Sequence, residues 1–256
     1  MELFDSHCHM DDERFDEDRE AVYDAFRSEG VTRIACVASD LKTSLSSMAF
    51  AQSHAGVCAS CGVHPHEAKD APADYIDTLR DMIRQKPYAA IGEIGLDYYY
   101  DLSPRDIQKR VLNEQLDLAL ETDMPVIFHI RDAHGDMIDL FRARKRLPQG
   151  IIHCFSGSRE TALEYLRMGF YISFAGPLTF KKSVHLQAAC QAVPPDRLLI
   201  ETDSPYLAPE PVRGRRNDPS NVRYVLNKMA ELKGVPPEEM ARITFENAMR
   251  IYRLSA

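Results

Sequence analysis

No uninterrupted apolar run in the 256-residue chain approaches the roughly 18 residues that a membrane helix needs. Its start, "MELFDSHCHM", lacks a basic segment followed by an apolar one, so no secretory leader is expected and the cytoplasm is the expected location. Low-complexity tracts are missing, as is any internal repeat beyond a short strand–helix period, so disorder is not indicated. The stretch after the first apolar run, "DSHCHMDD", has no glycine, whereas a dinucleotide-binding sheet would advertise a glycine-rich first turn there. Positive charge is also scarce: 31 Lys and Arg against 39 Asp and Glu leave a net charge of −8. That balance argues against broad, purely electrostatic binding of a nucleic-acid backbone. A local phosphate site stays open, because bound divalent cations and the basic loop "VRGRRN" (212 to 217) could reverse the sign of one cleft.

Six cysteines without a leader read as reduced thiols rather than a disulfide framework. Cys58 and Cys61 form a C-x-x-C, but inside the strand-like "GVCASCGV". Residues three apart on a strand point to opposite faces, so both read as small buried hydrophobes and not as a chelating pair.

What is present is a globular composition, 45% apolar and 27% charged, in a length close to the roughly 250 residues of a (β/α)8 barrel. Short β-rich runs alternate with amphipathic stretches. The expected strands span 2–7, 32–38, 57–63, 89–95, 125–130, 150–155, 170–174 and 198–203. Helices are expected near 17–29, 43–54, 72–85, 134–146, 158–168, 183–192, 219–233 and 237–248. A further helix opens at Ser103-Pro104, read as a capping residue and a first-turn proline, and ends near Asp123. Eight βα units without a linker predict an α/β (β/α)8 TIM barrel, a single domain over 1–256, with its active site at the C-terminal ends of the strands. A doubly wound open sheet is the alternative.

The strand ends are unusually rich in ligands. The first ends in His7 and His9, the third leads to His64 and His66, the fourth carries Glu93, the fifth ends in His129, the sixth in His153 and the eighth in Asp203. A lone histidine at a strand end is more often a packed or hydrogen-bonded residue, but agreement at six ends overturns that reading. Alternation puts His7 and His9 on one face and Cys8 on the other. It also puts Glu93 with Ile91 and Gly95, His129 with Ile127, His153 with Ile151, and Asp203 with Glu201 and Leu199, the apolar members filling the barrel interior. Four histidines and two carboxylates exceed the needs of one tetrahedral ion and fit two divalent ions sharing a carboxylate. The donor set suits zinc, manganese, nickel or iron, and magnesium less well. Such ions activate water for displacement at phosphorus, and Asp203 is placed to take the proton.

The ordered set "DSHCHMD", "GVHPHEA", "GEIGLDYYYD", "PVIFHIRDAH", "HCFSGS", "FAGPLTFKKS", "ETDSPYLAP", "RGRRNDP" and "NAMRIYRL" resembles the TatD family of metal-dependent deoxyribonucleases over the whole chain. Methionine at position 10, where leucine is common, is a conservative packing change. The resemblance implies a barrel of the wider metal-dependent hydrolase superfamily. In it His7, His9 and Asp203 would bind one ion, His129 and His153 the second, and Glu93 would bridge them, with Asp203 and Glu93 catalytic. Relatives resembling dihydroorotase or phosphotriesterase use a modified lysine as the bridge, and strands four and five hold no lysine. His64 and His66 would contact the substrate phosphate; otherwise His64 is a turn residue before Pro65. Arg131 would fork onto a phosphate, or pair with Asp132 or another acid. Glu201 would partner a ligand histidine. Arg213, Arg215 and Arg216 would meet the nucleic-acid backbone, or form a solvated loop. Tyr98, Tyr99 and Tyr100 would stack on bases or cap the rim.

The implied activity is hydrolysis of DNA phosphodiesters by two divalent metal ions, as a 3′-5′ exonuclease on single-stranded or frayed ends. Neither a membrane nor an obligate protein partner is expected. One alternative is a metal-dependent esterase or amidase, such as a deacylase of misacylated transfer RNA. Another is a non-catalytic binding protein that keeps only the fold, whose signature of degraded ligands is missing here.

Overall fold

The computed structural model describes residues 1–255. Its strands are β1 (Leu3–Cys8), β2 (Val31–Cys36), β3 (Val57–Cys61), β4 (Ala90–Asp97), β5 (Val126–Arg131), β6 (Gly150–Ile152), β7 (Tyr171–Phe174) and β8 (Leu198–Ile200). They pair in parallel in sequence order. Backbone bonds just beyond β8 close the ring on β1: Asp203 N–H donates to His7 O and His9 N–H to Ser204 O. This is the expected (β/α)8 barrel. The helices are α1 (Arg19–Ser28), α2 (Leu41–Ser53), α3 (Tyr75–Gln85), α4 (Arg105–Thr122), α5 (His134–Ala143), α6 (Arg159–Arg167), α7 (Val184–Ala192), α8 (Val222–Lys233) and α9 (Pro237–Ile251).

Local chemistry sets the helix ends. Asp40 caps α2 by accepting from Thr43 N–H while Thr43 Oγ1 returns the bond to Asp40 N–H. Helix α4 buries Val111, Leu112, Gln115, Leu116 and Ala119 at helical spacing and stops at Asp123, in the left-handed region at φ 53°. The expected cap at Ser103 is not made. Pro104 is the capping position, and Ser103 Oγ instead donates to His66 O and accepts from Lys69 N–H, tying the loop after β3 to the loop after β4.

Phe4, Ala35, Val37, Cys58, Ala90, Ile127, Ile151, Tyr171 and Leu199 fill the interior, and Ala248, Ile251 and Tyr252 of the α9 end pack with them. Cys61 and Cys8 belong to the outer layer between strands and helices, so the two faces of β3 separate Cys58 from Cys61 as expected. Burying a residue such as Ile127 stabilises the barrel by roughly 2–3 kcal/mol. Ser6, Ser60 and Ser173 lie above the apolar floor; Ser6 Oγ is 3.2 Å from Ser173 Oγ, and Ser60 donates to Gly92 O.

Simple alternation fails at three places, the first between Leu3 and Phe4, where β2 advances two residues while β1 advances one. Between Asp5 and Cys8, β1 advances three residues while β2 advances two, and β4 does the same against β5 between Ile91 and Ile94. One extra residue reverses which face the chain presents. Thus Phe4 points inward low in the barrel, yet His7 and His9 serve the mouth and Cys8 the outer layer. Ile91, expected to share the interior with Glu93, lies in the outer layer for the same reason, and Ala90 takes the interior place. The sixth and eighth strands are also shorter than expected, ending at Ile152 and Ile200. Cys154 and Asp203 take positive φ (42° and 57°), which ends regular pairing just where the candidate ligand residues begin.

Candidate metal centre

Every candidate ligand from the strand ends reaches one cluster. His7 Nε2 and His9 Nε2 are 3.3 Å apart, and Asp203 Oδ1 lies 3.7 and 3.4 Å from them. His129 Nδ1 and His153 Nε2 are 3.2 Å apart. Glu93 stands between the pairs: its oxygens are 3.8 Å from His7, 3.6 Å from His9, 3.4 Å from His129 and 3.0 Å from His153. Two donors on one tetrahedral ion sit roughly 3.3 Å apart when each bond is about 2.0–2.1 Å. Gly95, at φ 156°, makes the approach of the strands possible, since a Cβ there would stand 1.8 Å from His129 O.

The outer ring nitrogens decide where the lone pairs point. His9 Nδ1 is 2.8 Å from Val37 O, His129 Nε2 is 3.0 Å from Asp97 Oδ2, and His153 Nδ1 is 3.3 Å from Glu201 Oε1. Each acceptor holds the ring proton outside and leaves the inner nitrogen as a bare donor. Bare donors facing one another at these distances repel unless a cation lies among them, and buried Glu93 Oε2 and His7 Nδ1 have no hydrogen-bond partner. The donor set therefore fits divalent ions.

The protonation balance carries the same message. Burial alone would lower His9, but the Asp203 and Glu93 carboxylates push it up to about 9. Burial likewise opposes charge on His153, yet Glu93 and Glu201 raise it well above its ordinary value, and Asp97 and Glu93 raise His129. Burial and the neighbouring His153 lower His7. Glu93 would be raised by burial, but the surrounding histidines hold it well below the carboxylate range. The carboxylates thus demand positive charge, as protons or as metal.

A cavity of about 590 Å³ opens over the cluster, lined by His9, Glu93, His129, His153 and Asp203, with His7 beneath. His64 and His66 line it too; His64 Nε2 is 4.0 Å from Glu93 and its Nδ1 accepts from His66 N–H. Arg131 lines the wall, with Tyr99 and Tyr100 against its guanidinium. Glu201 partners His153 as anticipated and also accepts from Cys154 N–H at 2.7 Å. Tyr98, in contrast, is occupied elsewhere: its hydroxyl donates to Asp136 and its ring lies under Arg105.

The basic loop does not join the cleft. Arg213, Arg215 and Arg216 are exposed and outside the cavity lining. Arg216 spends its fork on Asp18 and the carbonyl of Arg14, and Arg213 lies over Phe180. What that segment contributes is the buried Asn217, whose Nδ2 donates to Thr202 O and Tyr206 O and so clips the loop that carries Asp203.

Two positioning carboxylates escaped the motif reading. Asp97 accepts from His129, from His66 at 2.9 Å, and from the N–H groups of Tyr99 and Tyr100. Burial would raise its pKa, but these hydrogen bonds hold it far below the usual range. Its signal was present, because Asp97 falls on the same strand face as Glu93. Asp5 accepts from Thr202 N–H and Thr202 Oγ1 and joins β1 to the segment after β8; burial raises its pKa. A carboxylate next to the apolar pair Leu3 and Phe4 in the first strand was the available hint.

A (β/α)8 barrel gathering four imidazoles and two carboxylates at its mouth is the architecture of a metal-dependent hydrolase. A family profile described as TatD related DNase matches residues 4–253. The chain is 42% identical over 254 residues to the uncharacterized metal-dependent hydrolase YabD of Bacillus subtilis (strain 168), covering 99% of this chain and 100% of that protein. It is 34% identical over 260 residues to a protein of Pectobacterium parmentieri named 3′-5′ ssDNA/RNA exonuclease TatD, covering 99% of this chain and all of that one. The crystal structure of YjjV, a TatD homolog from Escherichia coli K12, superposes with a TM-score of 0.93 at 28% identity, over 99% of this chain and 98% of that one. The chain belongs to the TatD-related DNase family. No helix among the described residues is long and apolar enough to cross a membrane.

Proposed function

We propose that the protein is a two-metal phosphodiesterase that trims single-stranded DNA, or frayed DNA ends, from the 3′ end. The observation that carries the reading is Glu93, a carboxylate flanked by two inward-facing imidazole pairs at the floor of a cleft whose wall presents a guanidinium. The activity named for the Pectobacterium relative supports it.

His7, His9 and Asp203 would hold one ion, His129 and His153 the other, and Glu93 would touch both. Bound divalent ions would polarise the phosphate and neutralise charge on the leaving oxygen. Arg131, His64 and His66 orient the phosphate group from the wall. Asp203 keeps one oxygen toward His7 and His9, so the other is available to take the proton of the attacking water. Its backbone N–H, bonded to His7 O, fixes where that oxygen stands.

The test is product analysis on end-labelled single-stranded DNA, with and without chelator. Asp203→Asn and Glu93→Ala are expected to lose turnover by about a thousandfold or more while the barrel stays folded. Full cleavage in chelator sinks the reading, as does full activity of Glu93→Ala.

A further inference from the structure

The cleft has two lips at opposite ends of the imidazole cluster, each an exposed aromatic ring with a guanidinium stacked on it. After β8, Tyr206 (47% exposed) stands edge-on to His9 with centroids 6.0 Å apart, and Arg14 covers its ring at 4.0 Å. After β4, Tyr100 (54% exposed) stands edge-on to His66 at 5.5 Å, and His66 is 6.0 Å from His129. Arg131 lies 4.7 Å from the Tyr100 ring and 3.9 Å from that of Tyr99.

The two guanidinium groups differ in where their N–H donors go. Arg14 donates Nε to Asp12 Oδ1 at 2.9 Å and Nη2 to Asp12 Oδ2 at 2.7 Å, so its charge is matched. Asp12 Oδ2 also accepts from the Tyr206 hydroxyl at 3.3 Å, which orients the ring. Asp11, on the same lip and lining the cavity, adds a second carboxylate whose neighbours are the Ser46 hydroxyl and the Cys36 thiol, not a cation. Arg131 makes no carboxylate pair among the described residues. One lip therefore offers a stacking ring beside a carboxylate without a cation partner, Asp11, and the other offers stacking rings beside a guanidinium without a carboxylate partner, Arg131, with Glu67 at that rim and the Asp97 carboxylate behind it taken up by imidazole and backbone N–H groups.

We propose that Tyr206, Asp11 and Asp12 form the subsite for the terminal nucleoside of a single strand, while the rest of the strand leaves over Tyr100, Tyr99 and Arg131. The assignment rests on the nuclease reading above. An unpaired base of any identity has a face for Tyr206, which a base held in a duplex cannot offer. A terminal nucleoside carries no phosphate beyond it, so the carboxylates accept it and repel a strand that continues past the lip. On the other side, Arg131, whose planar fork is held in place by two rings, faces the phosphate to be cleaved and the strand that continues from it. The pair of lips selects ends.

The test compares four 5′-labelled reactions: an oligothymidylate and the same strand with a 3′-terminal abasic nucleotide, each with wild type and with Tyr206→Ala. Wild type is expected to disfavour the abasic end by about tenfold or more in kcat/KM, the scale of one base stacked on an aromatic side chain. Tyr206→Ala should remove that discrimination, and Tyr100→Ala, on the other lip, should keep it. A 3′-phosphate, which adds nearly two negative charges beside the carboxylates of this lip, should slow wild type by about tenfold or more, and Asp11→Asn should relieve part of the effect. Discrimination that survives in Tyr206→Ala, or is never seen in wild type, overturns the subsite while leaving the nuclease reading standing. Failure of wild type to cleave any of these strands overturns both.

Discussion

Asp97→Asn isolates how this cluster is kept ready for metal. The Asp97 carboxylate accepts from two imidazoles through Oδ2 and from two backbone N–H groups through Oδ1. Asparagine has the same shape, and its carbonyl can keep both backbone bonds, leaving its NH2 facing His129 Nε2. A donor there can be met only if the imidazole proton moves to Nδ1, the atom 3.2 Å from His153 and 3.4 Å from Glu93. That atom then has no lone pair for an ion. Loss of such an orienting partner costs about 10–100-fold in metal affinity, or roughly 1.4–2.7 kcal/mol. The measurement is calorimetric titration of metal-stripped protein with zinc and with manganese, with thermal unfolding of the stripped variant as a control for folding. Metal affinity within threefold of wild type, in a normally folded variant, would refute the tautomer argument.

Cys8→Ala should leave metal content unchanged and cost about 1 kcal/mol in urea unfolding, because the thiol packs in the outer layer and donates to Ala35 O; loss of metal would contradict that placement. Since His9 holds a proton up to about pH 9 in the stripped cluster, metal must displace it. Apparent affinity should therefore weaken by about tenfold or more from pH 9 to 7, and a flat titration would count against the coupled cluster. His134, largely buried with Nδ1 3.0 Å from the Tyr165 hydroxyl, has its pKa lowered by burial from 6.5 to about 4. A depressed folded value means its contribution, at most about 3 kcal/mol, is fully present above pH 6.5 and is lost as pH falls toward 4. The stability of His134→Gln should accordingly drop less than that of wild type between pH 7 and pH 4.5, and equal losses would exclude this linkage.

Much of this protein was legible before any coordinate. The alternation of apolar runs, the nine motifs in register and the histidines at successive strand ends all lie within single elements, where side-chain period and residue type carry the information. The interior residues Ile127, Ile151 and Leu199 followed from that period. Ile91 did not, because an extra residue in β4 changes the face, and only pairing with β5 reveals the mismatch. Asp97 was visible as a carboxylate on the Glu93 face, but its task depends on His66, from the segment after β3, and His129, from β5.

The linear chain by itself determined the barrel class and the family, and it singled out the candidate ligand residues, since each rests on local pattern and on residue identity. Tertiary structure decided which charges were left for a ligand. Arg216 and Arg131 read alike in sequence as cleft arginines, yet Asp18 neutralises the first, while the second stands over two tyrosines in the cavity wall. Tyr206 and Asp11 acquired meaning only when barrel closure brought the segment after β8 beside the one after β1. A side chain's available charge is what its neighbours have not already matched, and those neighbours are chosen by the fold.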